Sequence, residues 1–484
     1  MLGNPPYTRV QVLRRVHALQ TRLIEAKYST SRAGFDLSTV FIERGLELLR
    51  PAAGSRTSGS LCFITTRTFT ETDSAATLRG LLTGGRHVRS IVDFREGLVF
   101  ENASAYTLIL HVGQSRSQEW SLSRVAAPPN AEALAQAIGS DLRSAVLKPL
   151  PSSDAAWDLS LPAETALLDR LAGEFVSLGD VSGGSVFQGV VTGADYVFRA
   201  DDLGPDPTDP TLHLVRPKLL GADDAPILME AELLRPVMAG RSSIQPFWTA
   251  DTREVLILPY EHVEGVHRMA LIAPDDMEQK WPKVHTWLRA NEDQLRGRAS
   301  GTWTDTNWYG YSRRQNLELW SGSKIMVPSM IDELCALNDD AGRFFVNVST
   351  GGYGVLVRED SGLSYEYVAA LLNSRLLSWV LRRFSRSWRG GWFEARNGNL
   401  VRLPIAMADE AEQQRVVTSF SEVGRATAAA KRPEATQQQV RIAQMARTRF
   451  DFEVERLYGL SNVESVVVAG GLDSEQATPR RDPR

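Results

Sequence analysis

Leu2-Gly3-Asn4-Pro5-Pro6-Tyr7 reads as the end of a buried strand that turns at once into a proline corner. The two prolines fix φ and remove two backbone donors, so the loop is rigid and its carbonyls are held in set directions. That is a preorganised acceptor site. An exocyclic amine held between the Asn4 side-chain oxygen and the Pro5 carbonyl donates both N–H groups and keeps its lone pair free for an in-line electrophile. Tyr7 adds a flat ring on which a base stacks. An amine paired in a duplex is already engaged, so a base reaches such a corner only by leaving the stack.

Outward from the corner, Val12, Leu13, Val16, Leu19 and Leu23 recur at helical spacing, with Arg14, Arg15 and Arg22 on other faces. This predicts an amphipathic helix beside the corner. Residues 36–50 predict a buried helix marked by Leu37, Val40, Phe41, Leu48 and Leu49 and stopped by Pro51. A short apolar strand at 61–65, a helix at 75–82 closed by Gly84-Gly85, and strands at 89–94 and 106–112 follow. Strands alternating with helices argue for a doubly wound α/β sheet.

These elements, in this order, resemble the amino-methylating DNA methyltransferases, whose Asn-Pro-Pro-Tyr form is specific for adenine N6. The resemblance implies that residues 1–125 are the C-terminal half of a partial, Rossmann-like methyltransferase sheet. Asn4, Pro5, Pro6 and Tyr7 are then the catalytic residues. It also makes Phe41 the residue that packs on the adenine of S-adenosyl-L-methionine, although the same ring suits the core face of an amphipathic helix. Residues 61–65 resemble the next strand, with Thr66 where the family more often has Pro. Phe100, between Ile91-Val92-Asp93-Phe94 and the strand from Tyr106, becomes the aromatic opposite Tyr7 on the flipped base. A complete member also carries, upstream, a glycine-rich strand-turn-helix and an acidic residue for the methyl donor, for the reason dinucleotide sites need glycines. Gly183-Gly184 and Gly351-Gly352-Tyr353-Gly354 stand outside any such context. The expectation is one part of a split enzyme, or a product of a late start. Its donor site is incomplete, and it needs a partner chain with the N-terminal half and does not methylate alone.

Residues 126–180, rich in Ala, Pro and Ser early on and with a helix-like stretch at 131–146, read as a transition. Within 181–405, Gln188-Gly189-Val190-Val191-Thr192-Gly193, Trp308-Tyr309-Gly310-Tyr311, Lys324-Ile325-Met326-Val327-Pro328 and Leu403-Pro404-Ile405 resemble, in order, the α+β target-recognition domain fused to these enzymes. Gly193 suits a turn with positive φ. Arg382, Arg383, Arg386 and Arg389, interleaved with Trp379, Trp388 and Trp392, form a patch suited to phosphate pairing and guanine readout. Arg313 and Arg314, beside Trp303, Trp308, Tyr309 and Tyr311, form a second. Both also fit a solvated helix face over buried aromatics. Residues 406–470 predict C-terminal helices, and 471–484 a charged, disordered tail.

At 484 residues with 43% hydrophobic content the chain has room for two or three domains. No apolar run approaches a membrane span, and two cysteines make a cytoplasmic setting the default. Scattered histidines give no metal spacing, so no metal is expected. A net charge of −4 leaves contact with double-stranded DNA to local patches. The implied function is site-specific adenine-N6 methylation with base flipping, in a restriction-modification or phage-defence system. The alternative is a non-catalytic DNA-specificity module of such a system. Methylation of RNA or of a protein glutamine uses the same tetrapeptide and suits the long recognition domain less well. No Asp/Glu-x-Lys nuclease pattern stands out.

Overall fold

Pro5 has no N–H to give to a ladder, and the first strand, β1 (Leu2–Gly3), accordingly stops short of it. The computed structural model describes residues 1–32, 34–50, 58–85, 87–95, 99–100, 106–113, 119–125, 146–149, 156–265, 268–298, 303–314, 316–347, 351–388 and 391–476. The chain divides into a unit of residues 1–167 with 389–391 and 470–484, and a unit of residues 168–388 with 392–469.

In the first unit β1 runs parallel to β2 (Ser60–Thr66), with Leu2 opposite Cys62 and Gly3 opposite Phe63. β3 (Val88–Asp93) and β4 (Thr107–Gly113) are an antiparallel pair, and β4 also pairs antiparallel with β2, without a break from Ser60/Gly113 to Thr66/Thr107. β5 (Glu119–Arg124) lies parallel to β3, and β6 (Val146–Pro149) pairs antiparallel with β5. The order β1-β2-β4-β3-β5-β6 contains the three strands expected at 61–65, 89–94 and 106–112. β5 and β6 were not anticipated. β6 falls in the stretch read as a transition, yet it belongs to this sheet; residues 126–145, with most of the expected helix at 131–146, lie outside the described residues.

α1 (Val10–Val16), α2 (Ala18–Lys27), α3 (Leu37–Glu47) and α4 (Ala76–Gly84) complete the unit. Ile42, Leu46, Leu78 and Leu82 from α3 and α4 pack with Leu61, Phe63 and Leu110 on one face of the sheet. A Cβ at Gly45 would strike the Leu61 side chain, so glycine lets α3 lie close on β2. The other face carries a smaller cluster of Val92, Phe94 and Val125 with Ile64, Val99 and Ile109.

Two expectations are corrected. The single amphipathic helix is broken at His17 (φ −135°, ψ 54°). Val10 and Leu13, three positions apart, pack with Phe35 and Val40, which leaves Val12 and Val16 on other faces of α1, and Leu19 and Leu23 beyond the break are exposed as well. On α3, Ile42 and Leu46 at helical spacing take the inward face, so Phe41 and Leu48, read as buried, face outward at 45% and 55% exposure.

The second unit holds a six-stranded sheet ordered 227–230, 212–217, 199–205, 254–257, 234–238, 344–345, and a four-stranded sheet ordered 337–339, 324–328, 352–355, 186–188. α5 (Tyr365–Leu372) and α6 (Arg375–Phe384) form its buried helical pair. α7 (Glu410–Ala430) and α8 (Gln437–Leu457) pack against each other, α8 opening on a capping box of Thr436 and Gln439. Asp451 of α8 accepts from the Arg375 N–H at 2.9 Å, and Glu455 pairs with the Arg375 guanidinium at 2.6 Å. α9 (Asn462–Gln476) reaches into the stretch read as a disordered tail, whose residues 477–484 lie outside the described ones. Among the described residues no helix is long and apolar enough to cross a membrane, and no group of three metal-ligating side chains occurs.

Candidate functional site

The parallel pair β1/β2 fixes where the proline corner sits. In α/β sheets ligands bind beyond the carboxyl ends of parallel strands. Asn4 to Tyr7 leave β1 at that end, beside Ile64 near the carboxyl end of β2. The chain after Tyr7 is then pinned. Leu37 N–H donates to Thr8 O at 2.9 Å, and Val10 N–H to Phe35 O at 3.0 Å. This holds the corner against the start of α3, where Asp36 caps the helix by accepting from Ser38 N–H at 2.9 Å.

Within the corner Pro5 is buried, Tyr7 is half-buried, and Asn4 and Pro6 are exposed. The Tyr7 hydroxyl oxygen lies 2.6 Å from Asn4 Oδ1 and 3.0 Å from the Ile64 carbonyl. Burial, with the Asp36 charge adding to it, pushes the Tyr7 pKa up to about 12, so the phenol keeps its proton at neutral pH. Phe100 is half-buried, and among the described residues no ring contact joins it to Tyr7. Its neighbour Val99 packs on the cluster that contains the Ile64 side chain, and the backbone carbonyl of Ile64 is the one that Tyr7 approaches. Phe41, one turn into α3, presents an exposed ring.

Behind the corner Glu43 of α3 is buried and accepts from the N–H and hydroxyl of both Ser29 and Thr30, at 2.7–3.0 Å. Burial alone would raise its pKa, but these hydrogen bonds outweigh that and hold the carboxyl below its ordinary value.

In the second unit the two arginine patches come apart. Arg382, expected at the DNA, is buried, donates to Asp332 O at 2.6 Å and stacks over Phe393 at 4.4 Å, so in this structure its guanidinium is engaged within the fold. The cause is α6 itself, buried on nearly every side, from Leu376 through Arg382. Arg383 is half-buried over Trp379 at 4.7 Å. Arg386 and Trp388, past the end of α6, are exposed, with the guanidinium 5.3 Å from the ring. Arg389 lies outside the described residues. In the second patch Trp308, Tyr309 and Tyr311 are core residues; Tyr311 Oη donates to Ile257 O at 2.6 Å and Tyr309 Oη to Ile272 O. Only Arg313 and Arg314 of that patch are at the surface in the way the DNA reading needs.

Sequence reasoning missed Arg298. Its guanidinium is buried and donates to the carbonyls of Leu295, Thr192, Trp308 and Gly310 at 2.6–3.0 Å, and it stacks on Trp303 at 4.5 Å. It thereby ties the turn at Gly193, whose φ is +76° as expected, to the strand bridge Val191/Arg313. Nothing in the linear sequence distinguishes this arginine from its neighbours.

Residues 1–100 match the family described as Eco57I restriction-modification methylase, and residues 282–405 match the TaqI-like C-terminal specificity domain. The first region is thus similar to a methylase of that type and the second to a TaqI-like specificity domain. The chain is 22% identical over 420 residues to the type II restriction enzyme and methyltransferase RM.Eco57I of Escherichia coli, covering 84% of this chain and 40% of that protein. It is 23% identical over 486 residues to the type II methyltransferase M.PaeR7I of Pseudomonas aeruginosa, covering 97% and 72%. The chain therefore spans less than half the length of the first relative. Among solved structures it is similar in fold to the type IIL restriction-modification enzyme MmeI in complex with DNA, with TM-score 0.50, 12% identity, and coverage of 98% of this chain and 56% of that one.

Proposed function

We propose that this chain carries the target-base corner and the recognition domain of a site-specific DNA adenine-N6 methyltransferase of a restriction-modification system. The observation that carries the reading is the Asn4–Tyr7 corner at the carboxyl end of a parallel strand pair, with Asn4 Oδ1 within 2.6 Å of Tyr7 Oη. Asn4 Oδ1 and the Pro5 carbonyl take the two hydrogens of an extruded adenine's amine, and the Tyr7 ring supports the base, with Phe100 as the second ring. S-adenosyl-L-methionine supplies the methyl group, with the Phe41 ring beside its adenine. The donor's methionine end is held by a complementary methyltransferase segment bearing the glycine-rich turn. The exposed apolar residues Val12, Val16, Leu19 and Leu23 and the outer side of β1, the edge strand among the described residues, offer that segment its packing surface. In the second unit Arg313, Arg314, Arg386 and Trp388 contact the duplex.

The test is transfer of labelled methyl groups from S-adenosyl-L-methionine to unmodified duplex DNA, by the chain alone and with the donor-binding segment, followed by nucleoside analysis. The expected product is N6-methyladenine, formed only with the segment present and lost in Asn4→Ala while DNA binding persists. Methyl groups on cytosine, or full activity in Asn4→Ala, would overturn the reading. DNA binding with no affinity for the donor in either setting would instead favour a specificity module without catalysis.

A further inference from the structure

The Tyr7 hydroxyl has one hydrogen and two neighbours, Asn4 Oδ1 at 2.6 Å and Ile64 O at 3.0 Å. Both are acceptors, and one hydrogen serves only one of them at a time. The Ile64 carbonyl is there to be met because of Pro5. Cys62 N–H donates to Met1 O at 2.9 Å, so alternate residues of β2, Cys62 and then Ile64, turn their backbone groups toward β1. Carried on by its own repeat, this parallel ladder would bring the N–H of residue 5 to Ile64 O. Proline has none. The carbonyl is left to the tyrosine side chain that returns to it two residues later.

The corner therefore has two arrangements. In one the hydroxyl donates to Asn4 Oδ1 and caps the acceptor. In the other the carboxamide is turned end for end, Nδ2–H donates to Tyr7 Oη, and the hydroxyl donates onward to Ile64 O. Every group in that chain is then satisfied, and Oδ1 is directed away from Tyr7, toward the exposed side of Asn4. The two ends of a carboxamide are nearly equal in shape, so the turn needs no backbone movement.

We propose that the Tyr7 hydroxyl and the Ile64 carbonyl form a positioning relay that selects which end of the Asn4 carboxamide faces the target base, made possible by the missing N–H of Pro5. Its catalytic consequence rests on the adenine reading above; its geometry does not. The relay gives Tyr7 a task separate from ring stacking, because phenylalanine keeps the ring and loses the relay.

The experiment uses the full chain labelled with nitrogen-15. The Asn4 side-chain amide signal is assigned by its loss in Asn4→Ala, and its exchange with water is compared in wild type, Tyr7→Phe and Pro5→Ala. Pro5→Ala restores an N–H that competes for Ile64 O while leaving Tyr7 intact. In both variants the Asn4 amide should exchange about tenfold faster, as a donated hydrogen bond is lost. In the methylating assembly Tyr7→Phe should lower kcat about tenfold with KM for DNA unchanged, whereas loss of stacking in Tyr7→Ala raises KM as well. An Asn4 amide that exchanges at the same rate in all three proteins overturns the relay, and so does faster exchange with unchanged kcat. Altered exchange in an assembly that forms no N6-methyladenine supports the relay and removes the adenine reading.

Discussion

Replacing Arg298 with methionine tests whether one buried guanidinium holds the recognition loops in place. Methionine fills much of the same stem volume but donates nothing. Thr192 O keeps a partner, because Ser312 N–H also reaches it at 3.1 Å. The Leu295, Trp308 and Gly310 carbonyls, all on buried residues, lose the donors that Arg298 gives them at 2.8, 2.7 and 3.0 Å. A buried acceptor stripped of its donor costs about 1–3 kcal/mol, so three of them cost about 3–9 kcal/mol. Part of that is offset. Burial already pulls the Arg298 pKa down to about 10, which means the native fold bears a desolvation cost that methionine avoids. The net expectation is a loss of about 2–3 kcal/mol. Urea unfolding followed by tryptophan fluorescence reads it directly, since Trp303 stacks on the guanidinium and Trp308 lies beside it. The midpoint should fall with the slope unchanged. Arg298→Lys, which replaces a planar fork by a point charge, should fall between the two. A methionine variant with the wild-type midpoint would show that the loops are held by their aromatic packing alone.

Three further outcomes are expected. Glu43 has a depressed folded-state pKa, so its contribution to stability is complete above its unfolded value near 4.5 and disappears as pH falls through the lower folded value; Glu43→Gln should therefore destabilise at pH 7 and melt like wild type in strong acid, and an equal difference at both pH values would contradict this. Gly193→Ala should cost about 1–2 kcal/mol from the +76° φ, with an added clash against Ser312 that Ser312→Gly relieves in the double variant; full recovery in the double variant would mean that the backbone conformation carries no cost. Converting Arg313, Arg314 or Arg386 to glutamine should each reduce the slope of log affinity against log salt by about 1, whereas Arg382→Gln should lower stability and leave the slope alone; the reverse pattern would move the DNA contact onto the buried face of α6.

The proline corner was legible because its geometry is local: two prolines, an amide and a phenol within four positions make a rigid turn rich in acceptors, and the structure brings Asn4 and Tyr7 into contact. The strands about Leu61, Ile91 and Leu110 were readable for a similar reason, as short apolar runs between breakers. β5 carries a weaker signal of the same kind, since Trp120 and Leu122, both buried, alternate with Ser121 and Ser123 in a period of two. Burial of the arginine and tryptophan clusters was not readable. Arg382 and Arg386 look alike in sequence, and partners distant in the chain, the Asp332 carbonyl some fifty positions away among them, engage the first while the second stays in solvent. The outward stripe of α1 and α2 failed for a different reason: the periodicity runs straight through His17, and nothing in the spacing marks a break there.

The clasp that α8 places on the start of α6 bears on any attempt to move sequence specificity from one relative to another. A fragment cut after residue 405, where the likeness to the TaqI-like domain stops, would keep α6 and discard Asp451 and Glu455, the acids at its first residue. It would also discard Tyr458, whose hydroxyl donates to Pro404 O at 2.8 Å and accepts from Ala406 N–H at 3.2 Å, closing off the last short strand. The transferable cassette therefore ends beyond Tyr458, and a graft that respects only the sequence match should be insoluble where one extended through the hairpin is not.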